Sequence, residues 1–444
     1  MTFKGIKDAV YQTLGKKTGK RVIVIAACLV VLVAIGFFVP TVSDTYPGVT
    51  SEPPAAHAAA LASPAPANIL APDRDMSFPG IIAVVTSSVD LNEEEFRSAE
   101  KLVERFGAAN VIHRIWPDVP TPDRLMTLMS ELASNPEVGA IIINQAIFGT
   151  NAAIDAARAA RIDLIGYDNL FIVSATPAES PRDVYARVDL SLDINNSGIP
   201  KHFVAQAAIM GADAIVHYSF PRHMAMPQLA ARRYGMAEAS AAAGIRFEDL
   251  LSIDPMCSFN GHYVVEYIHQ DVSRQVQRLN ALGYENIVFF STACVHQVPL
   301  IRQVLYYGAM FVQTCCPSPF HAFPQALGIA RSAAAFEVFS TAEEIIEATS
   351  KVIAEHGMTG RVANWALPSS FSFTTVGFLY AVEWLNGRVS QDVGYVDPDV
   401  LLALFGQFVE ETLGVREYPI LQQLRIGTNV FTTMYVIIMP YIVY

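Results

Sequence analysis

The chain has 444 residues, 52% of them apolar and 16% charged, with a formal net charge of −12. That length suits two or three domains, and the apolar share supplies a sizeable core and excludes global disorder. Residues 1–21 carry a local +5, so residues 22–444 carry −17, an acidic body that argues against nucleic acid as a partner.

The basic segment 1–21 holds Lys4, Lys7, Lys16, Lys17, Lys20 and Arg21 against the single acid Asp8. After it, "VIVIAACLVVLVAIGFFV" runs from Val22 to Val39 without a charge. A basic start before an apolar run is either a secretion signal or a membrane anchor. Signal-peptide cores span about 7–15 residues and bilayer crossing needs about 17–25, so residues 22–39 read as a transmembrane anchor or a long signal-peptide core. No clean Ala-x-Ala follows; Thr41-Val-Ser43 is the nearest candidate. "IAAC", ending at Cys28, looks like a lipoprotein box but stands at the wrong end of the apolar run. Both readings place the body outside the cytoplasm, in the periplasm or at the outer face of the cell membrane. Residues 40–76 form a Pro/Ala-rich tether: Pro47 to Pro72 holds six prolines and nine alanines, a composition for an extended linker.

From Ser77 the pattern is strand and helix in alternation. "GIIAVVTSS" (80–88) is a short, continuous apolar run, as in a strand buried on both faces. In "DLNEEEFRSAEKLVERFGA", Asp90 suits a cap, acids fill the first turn, and Phe96, Leu102, Val103 and Phe106 mark one helical face. "NVIHRIW" precedes a helix from about Thr121, "GAIIINQ" one from about Asn151, and "IDLIGYDN" reads as the next strand. A second series follows "DVYARVDLSLDINNSG": "DAIVHYSF" (213–220), "IRFEDLLSID" (245–254), "ENIVFFST" (285–292) and "AMFVQTCC" (309–316). Helices are expected near 341–356, 373–386 and 398–412. The apolar finish "NVFTTMYVIIMPYIVY", interrupted by Pro440, reads as a buried final strand rather than a second anchor. The expected fold is α/β: two doubly wound Rossmann-like lobes joined by crossover strands. The first lobe spans 77–195, the second 196–330, and 331–444 supplies crossover returns and additional helices.

Ligands of open parallel sheets gather at the carboxyl ends of strands, beside the topological switch point. That rule selects Thr86, Ser87, Asn144 and Asp168 in the first lobe. In the second it selects Tyr218, Ser219, Arg222, Thr292, Cys315, Cys316 and Ser318. Hydroxyls at such ends also cap helices, and Arg222, whose planar fork suits a carboxylate or phosphate, has a salt bridge as its plain alternative. Phe148, Phe220 or Trp365 would stack on a sugar or base unless they belong to the core. No Gly-x-Gly-x-x-Gly follows the first strand and there is no Gly-x-Ser-x-Gly elbow, so neither a nucleotide cofactor nor a serine nucleophile is expected.

Besides Cys28 the chain holds Cys257, Cys294, Cys315 and Cys316. Four exported cysteines allow disulfides in three pairings. There is no Cys-x-x-Cys; His296 and His321 are available to complete a metal site but no spacing enforces one, and no metal is expected. "QTCCPSPFHAFP" (313–324) reads as a rigid pocket wall lined with thiols, with a disulfide through Cys315 or Cys316 left open.

"HYSFPRHM" (217–224), "FFSTACVHQVPLI" (289–301) and "CCPSPFHAFPQALGI" (315–329) resemble a family of uncharacterised bacterial proteins, a domain of unknown function with the type I periplasmic-binding-protein fold. The resemblance runs from about Ser77 to the C terminus. It implies two lobes closing on a small ligand, as in the solute-binding proteins of ABC importers. The partners then expected are a small polar molecule and an ABC permease or membrane sensor, with the membrane reached through the N-terminal segment. "STACVHQ" and "QTCCPSP" also superficially resemble the cysteine pair of two-thiol, cofactor-independent amino-acid racemases. On that alternative Cys294 and Cys315 or Cys316 are opposing bases.

Overall fold

Ile81–Thr86 (β1) has every residue after the first buried, because helices cover both faces of its sheet. The computed structural model describes residues 75–89, 91–255, 262–329, 342–414 and 417–444. The basic segment, the apolar run 22–39, the tether up to residue 74, Asp90 and Cys257 lie outside the described residues.

The chain continues through Glu93–Phe106 (α1), Val111–Ile115 (β2), Pro122–Ala133 (α2), Val138–Ile143 (β3), Thr150–Ile165 (α3), Phe171–Ala175 (β4), Pro181–Tyr185 (α4) and Leu190–Ile194 (β5). Asn92 occupies the N-cap position of α1, whose buried face is Glu95, Ser98, Ala99 and Leu102. "IDLIG" is not a strand. It prolongs α3, which ends only at Gly166, where a φ of 85° turns the backbone left-handed and its N–H closes on the Ile162 carbonyl at 2.7 Å. The strand is "FIVSA", five residues further on.

The second lobe runs through Ile199–Ile209 (α5), Ala214–Ser219 (β6), Pro221–Met224 (α6), Pro227–Ala243 (α7), Arg246–Leu251 (β7), His262–Asn280 (α8), Ile287–Ser291 (β8), Cys294–Tyr307 (α9), Phe323–Ala326 (α10), Ala342–Glu355 (α11) and Ala363–Trp365 (β9). "AMFVQTCC" gives no regular strand; Met310 and Phe311 make single parallel bridges to Val288 and Val362. Ser369–Leu385 (α12), Pro398–Leu413 (α13), Ile420–Ile426 (β10) and Asn429–Ile438 (β11) return to the first lobe, and Tyr441–Val443 (β12) closes the second. The apolar finish is thus two strands: β11 pairs parallel to β5, and β12 pairs antiparallel to β9. Pro440, which has no N–H for a ladder, stands at the break. Among the described residues, no helix is long and apolar enough to cross a membrane.

The first sheet has the order β10-β11-β5-β4-β3-β1-β2 and the second β7-β6-β8. β10 is antiparallel to β11, and the other neighbours in both are parallel. Two apolar clusters cover the faces of the first sheet, with Val84, Ile142, Phe373 and Val376 in one and Val85, Ile143, Leu125 and Ile154 in the other. The second sheet is covered likewise, with Tyr218 and Phe289 on one side and Phe203 and Phe290 on the other. The chain passes between the lobes at 195–198, 366–368 and 439–440. Asn195 fixes the first crossing by accepting the Gly198 N–H at 2.8 Å.

Candidate functional site between the lobes

In each lobe the strand order reverses at the first strand: β1 lies between β2 and β3, and β6 between β7 and β8. Such a reversal sends successive loops to opposite faces and leaves a crevice at the carboxyl ends. Residues 86–95 leave β1, residue 292 leaves β8, and residues 313–321 follow the Met310–Phe311 bridges.

These segments meet. The Ser318 hydroxyl of the second lobe donates to the Glu94 carboxylate at the start of α1 in the first. Ser318 is held in place by the Phe320 N–H, which donates to its Oγ at 3.1 Å, and by Asn364, which donates to its carbonyl. Burial pushes the Glu94 carboxyl up to about 7, against the lowering effects of Ser318 and His321; Cys316 and Glu95 push it further up. Glu95 turns the other way and accepts the Ser87 N–H at 2.8 Å, which ties α1 to the end of β1. Burial raises its carboxyl too.

Around this contact stand the thiols. Cys294 opens α9, and its Sγ lies 3.3 Å from Cys315 Sγ, which is 3.8 Å from His321 Nε2. Cys294, Cys315 and Cys316 are all free, so the disulfide left open by the sequence is not formed here. Hydrogen bonds from Cys315 and Cys316 hold the Cys294 thiol down at about 3, and its place at a helix start favours the thiolate as well. The same bonds, with burial, push Cys315 well up. The backbone of the loop is anchored from behind by buried Arg232. That side chain donates to the Cys315 carbonyl at 2.9 Å and to Asn196 Oδ1, on the first crossing, at 2.5 Å.

Of the residues selected from the sequence, several are committed elsewhere. Asp168 stands at the amino end of β4, where it accepts from Arg158 and from the Leu170 N–H at 3.0 Å. The extension of α3 moved it from one end of the sheet to the other. Asn144 is fully buried: it donates to the Ser370 carbonyl and Thr374 Oγ1 and accepts from Thr176, each at 2.8 Å. Tyr218 points into the core beneath the sheet, where its hydroxyl donates to Asp271 at 2.8 Å. Arg222 forms the salt bridge weighed as its plain alternative, with Nε and Nη2 both 2.8 Å from Asp254. Thr86 bonds the Ser87 carbonyl and His113, both at 2.8 Å. Ser219 and Thr292 bond one another at 2.8 Å, and His223 Nδ1 lies 3.0 Å from Thr292 Oγ1. The strand-end residues brought together are Ser219 with Thr292, Cys315 with Cys294 and with Cys316 next to it in the chain, and Ser318 with Glu94 of the other lobe.

The aromatic candidates divide too. Phe220 and Trp365 are core residues, while Phe148 is exposed. The candidate racemase sulfurs, Cys294 with Cys315 or Cys316, all come from the second lobe, and Cys294 and Cys315 lie 3.3 Å apart rather than facing each other from two lobes. Bases that exchange a proton across one carbon atom must leave room for that atom between them. A 470 Å³ cavity lined by Ser98, Lys101, Phe320, Phe371, Phe408 and Glu411 among others contains none of the strand-end residues.

Glu94 and Arg232 escaped sequence reasoning. The first acids of a helix are already explained by its dipole, and nothing local separates buried Arg232 from its neighbour Arg233, which pairs with Asp249 at the surface. The available signal for Glu94 was position, since α1 follows directly on the strand at the switch point.

A family described as "Protein of unknown function (DUF3798)" matches residues 81–363. An uncharacterized protein of Treponema pallidum (strain Nichols) is 28% identical over 186 residues, 41% of this chain and 81% of the relative. A crystal structure from Clostridium difficile 630, of a protein whose name proposes a role as transcriptional regulator, covers 83% of this chain and 100% of its own at a TM-score of 0.71. At 18% identity that likeness shows a shared fold and nothing more. A sugar ABC transporter structure from Actinomyces odontolyticus ATCC 17982 is 12% identical, covers 71% of this chain and 86% of its own, and has a TM-score of 0.47.

Proposed function

We propose, from the premise that the chain belongs to the DUF3798 family of proteins of unknown function, that it captures a small polar solute in the cleft between its two lobes. The observation that carries this reading is the Ser318–Glu94 bond, which joins strand-end loops of different lobes while three chain crossings tie the lobes at their base. Two bodies hinged on crossings close around a ligand only to the extent that the closed form makes additional contacts with it. The solute would meet Glu94, Ser87 and Thr86 from the first lobe and Ser219, Thr292, Cys316, Ser318 and the Cys315 backbone from the second. Asn144, Asp168, Tyr218 and Arg222 are spoken for by their own partners and take no part.

The apolar run at 22–39 supports placing this capture outside the cytoplasm, at the membrane surface, where the bound solute is handed to an ABC-type permease or reported to a membrane sensor. Small molecules that co-purify with the full chain are identified by mass spectrometry, then added back with a panel of sugars, nucleosides, amino acids and small acids. Capture predicts a saturable rise in melting temperature, equivalent to about 2.7 kcal/mol at a hundred times Kd. No co-purifying molecule and no shift across the panel would refute it.

A further inference from the structure

We propose that Cys294, Cys315 and His321 bind a thiophilic divalent metal ion, with zinc as the reference ion, on the second lobe's side of the cleft. The two sulfurs and the imidazole nitrogen all lie within 4.8 Å of one another. A tetrahedral zinc with Zn–S bonds of about 2.3 Å and a Zn–N bond of about 2.0–2.1 Å sets its sulfurs about 3.8 Å apart and sulfur from nitrogen about 3.6 Å apart. The Cys294–Cys315 edge is 3.3 Å and the Cys315–His321 edge 3.8 Å. Both match to within about half an ångström, which small side-chain rotations absorb.

The donor set also selects the ion. Two thiols and an imidazole favour zinc and its soft neighbours over magnesium or calcium, which take oxygen. The loop is fixed before any ion arrives: Arg232 holds the Cys315 carbonyl, Thr314 donates to the Cys316 carbonyl at 2.7 Å, and prolines flank residue 318 on both sides. Three protein ligands leave a fourth position open. Cys316 follows Cys315 in this loop, and Glu94 of the first lobe reaches the same loop through the Ser318 hydroxyl.

This site goes beyond the capture of an organic solute and does not depend on it, because all three ligands belong to one lobe. The test uses the full chain, reduced and stripped with a chelator, titrated with Co²⁺ as a spectroscopic probe and then with Zn²⁺. Expected are a thiolate-to-cobalt charge-transfer band with tetrahedral d–d absorption, one ion per chain, and displacement by zinc. Cys294→Ser, at an exposed helix start, and His321→Ala should each weaken zinc binding by more than the about 10–100-fold that loss of a mere supporting group costs. Circular dichroism establishes that each variant is folded. The proposal is overturned if no charge-transfer band forms, if both folded variants bind cobalt as the parent does, or if thiol titration finds Cys294 and Cys315 joined as a disulfide under the same reducing conditions. Melting shifts with organic solutes are read separately, so loss of one result leaves the other standing.

Discussion

Replacing Glu94 by glutamine should change how stability depends on pH. The carboxyl is raised from 4.5 to about 7 chiefly by burial. The native state therefore keeps a proton that the unfolded chain gives up, and stability is full below about pH 4.5, falls as the pH rises toward 7, and levels off above it. At about 1.4 kcal/mol per pH unit the gap corresponds to roughly 3 kcal/mol, and residual water at this half-buried side chain trims that to roughly 1–3 kcal/mol. Glutamine keeps an oxygen to accept the Ser318 hydroxyl and carries no charge. Urea unfolding of the metal-free parent and of Glu94→Gln, followed by tryptophan fluorescence between about pH 4 and 8, gives a difference curve that cancels groups common to both. Asp193, which burial also raises to about 7, is one of these. The difference should start near zero, grow in favour of the variant through the window, and reach a plateau. A flat difference, or one that favours the parent increasingly as pH rises, would show that Glu94 is not desolvated in the cleft.

Asn144→Ala removes three hydrogen bonds and strands the partners of a fully buried side chain. It should lower unfolding free energy by about 2–4 kcal/mol while the folded fraction binds solute with unchanged affinity, read by calorimetry. Asp168→Asn should cost about 1 kcal/mol or less and leave solute affinity untouched, since Arg158 keeps Asp189 at 2.9 Å. A loss of affinity would return Asp168 to the site. Gly377→Ala sets a methyl 2.9 Å from Val173 Cγ1 where α12 lies against the first sheet. The overpacking costs about 1–3 kcal/mol against about 1 kcal/mol regained from helix propensity, so melting temperature falls; a rise would mean the helix simply slides.

The strands legible in the sequence were those whose apolar runs had no helical alternative. β1, β3, β6 and β8 are short, continuous and bounded by polar turns, and a buried parallel sheet demands that pattern. "IDLIG" failed because a short apolar run is equally the last turn of a long helix, and only Gly166 marks where α3 stops. That single misreading carried Asp168 to the wrong end of the sheet. Asn144 and Tyr218 sit at true strand ends, yet spacing does not say whether a polar side chain at such a place faces a ligand or a neighbouring helix. The answer lies in residues more than fifty positions away: Thr374 for one and Asp271 for the other.

The thiols show what pairing adds to spacing. Cys294 and Cys315 are 21 residues apart, without chelate spacing, and their sequence context suggests two bases facing each other across a substrate. But Val288 in β8 bridges Met310 in parallel, and neighbouring strands lie about 4.8 Å apart. Cys294 comes six residues after Val288 and Cys315 five after Met310. Two cysteines displaced so nearly equally beyond paired positions emerge side by side at one sheet end. Sulfurs 3.3 Å apart leave no room for a carbon atom between them, whereas an ion bound by both would use the pair. Glu94 reaches this place from the other lobe, through a bond to a serine 224 residues away, and no pattern within either segment foretells it. On the proposed capture, closure brings that carboxyl to the thiol loop, so its titration would report on closure, while the cobalt spectrum would report on the three ligands of the second lobe.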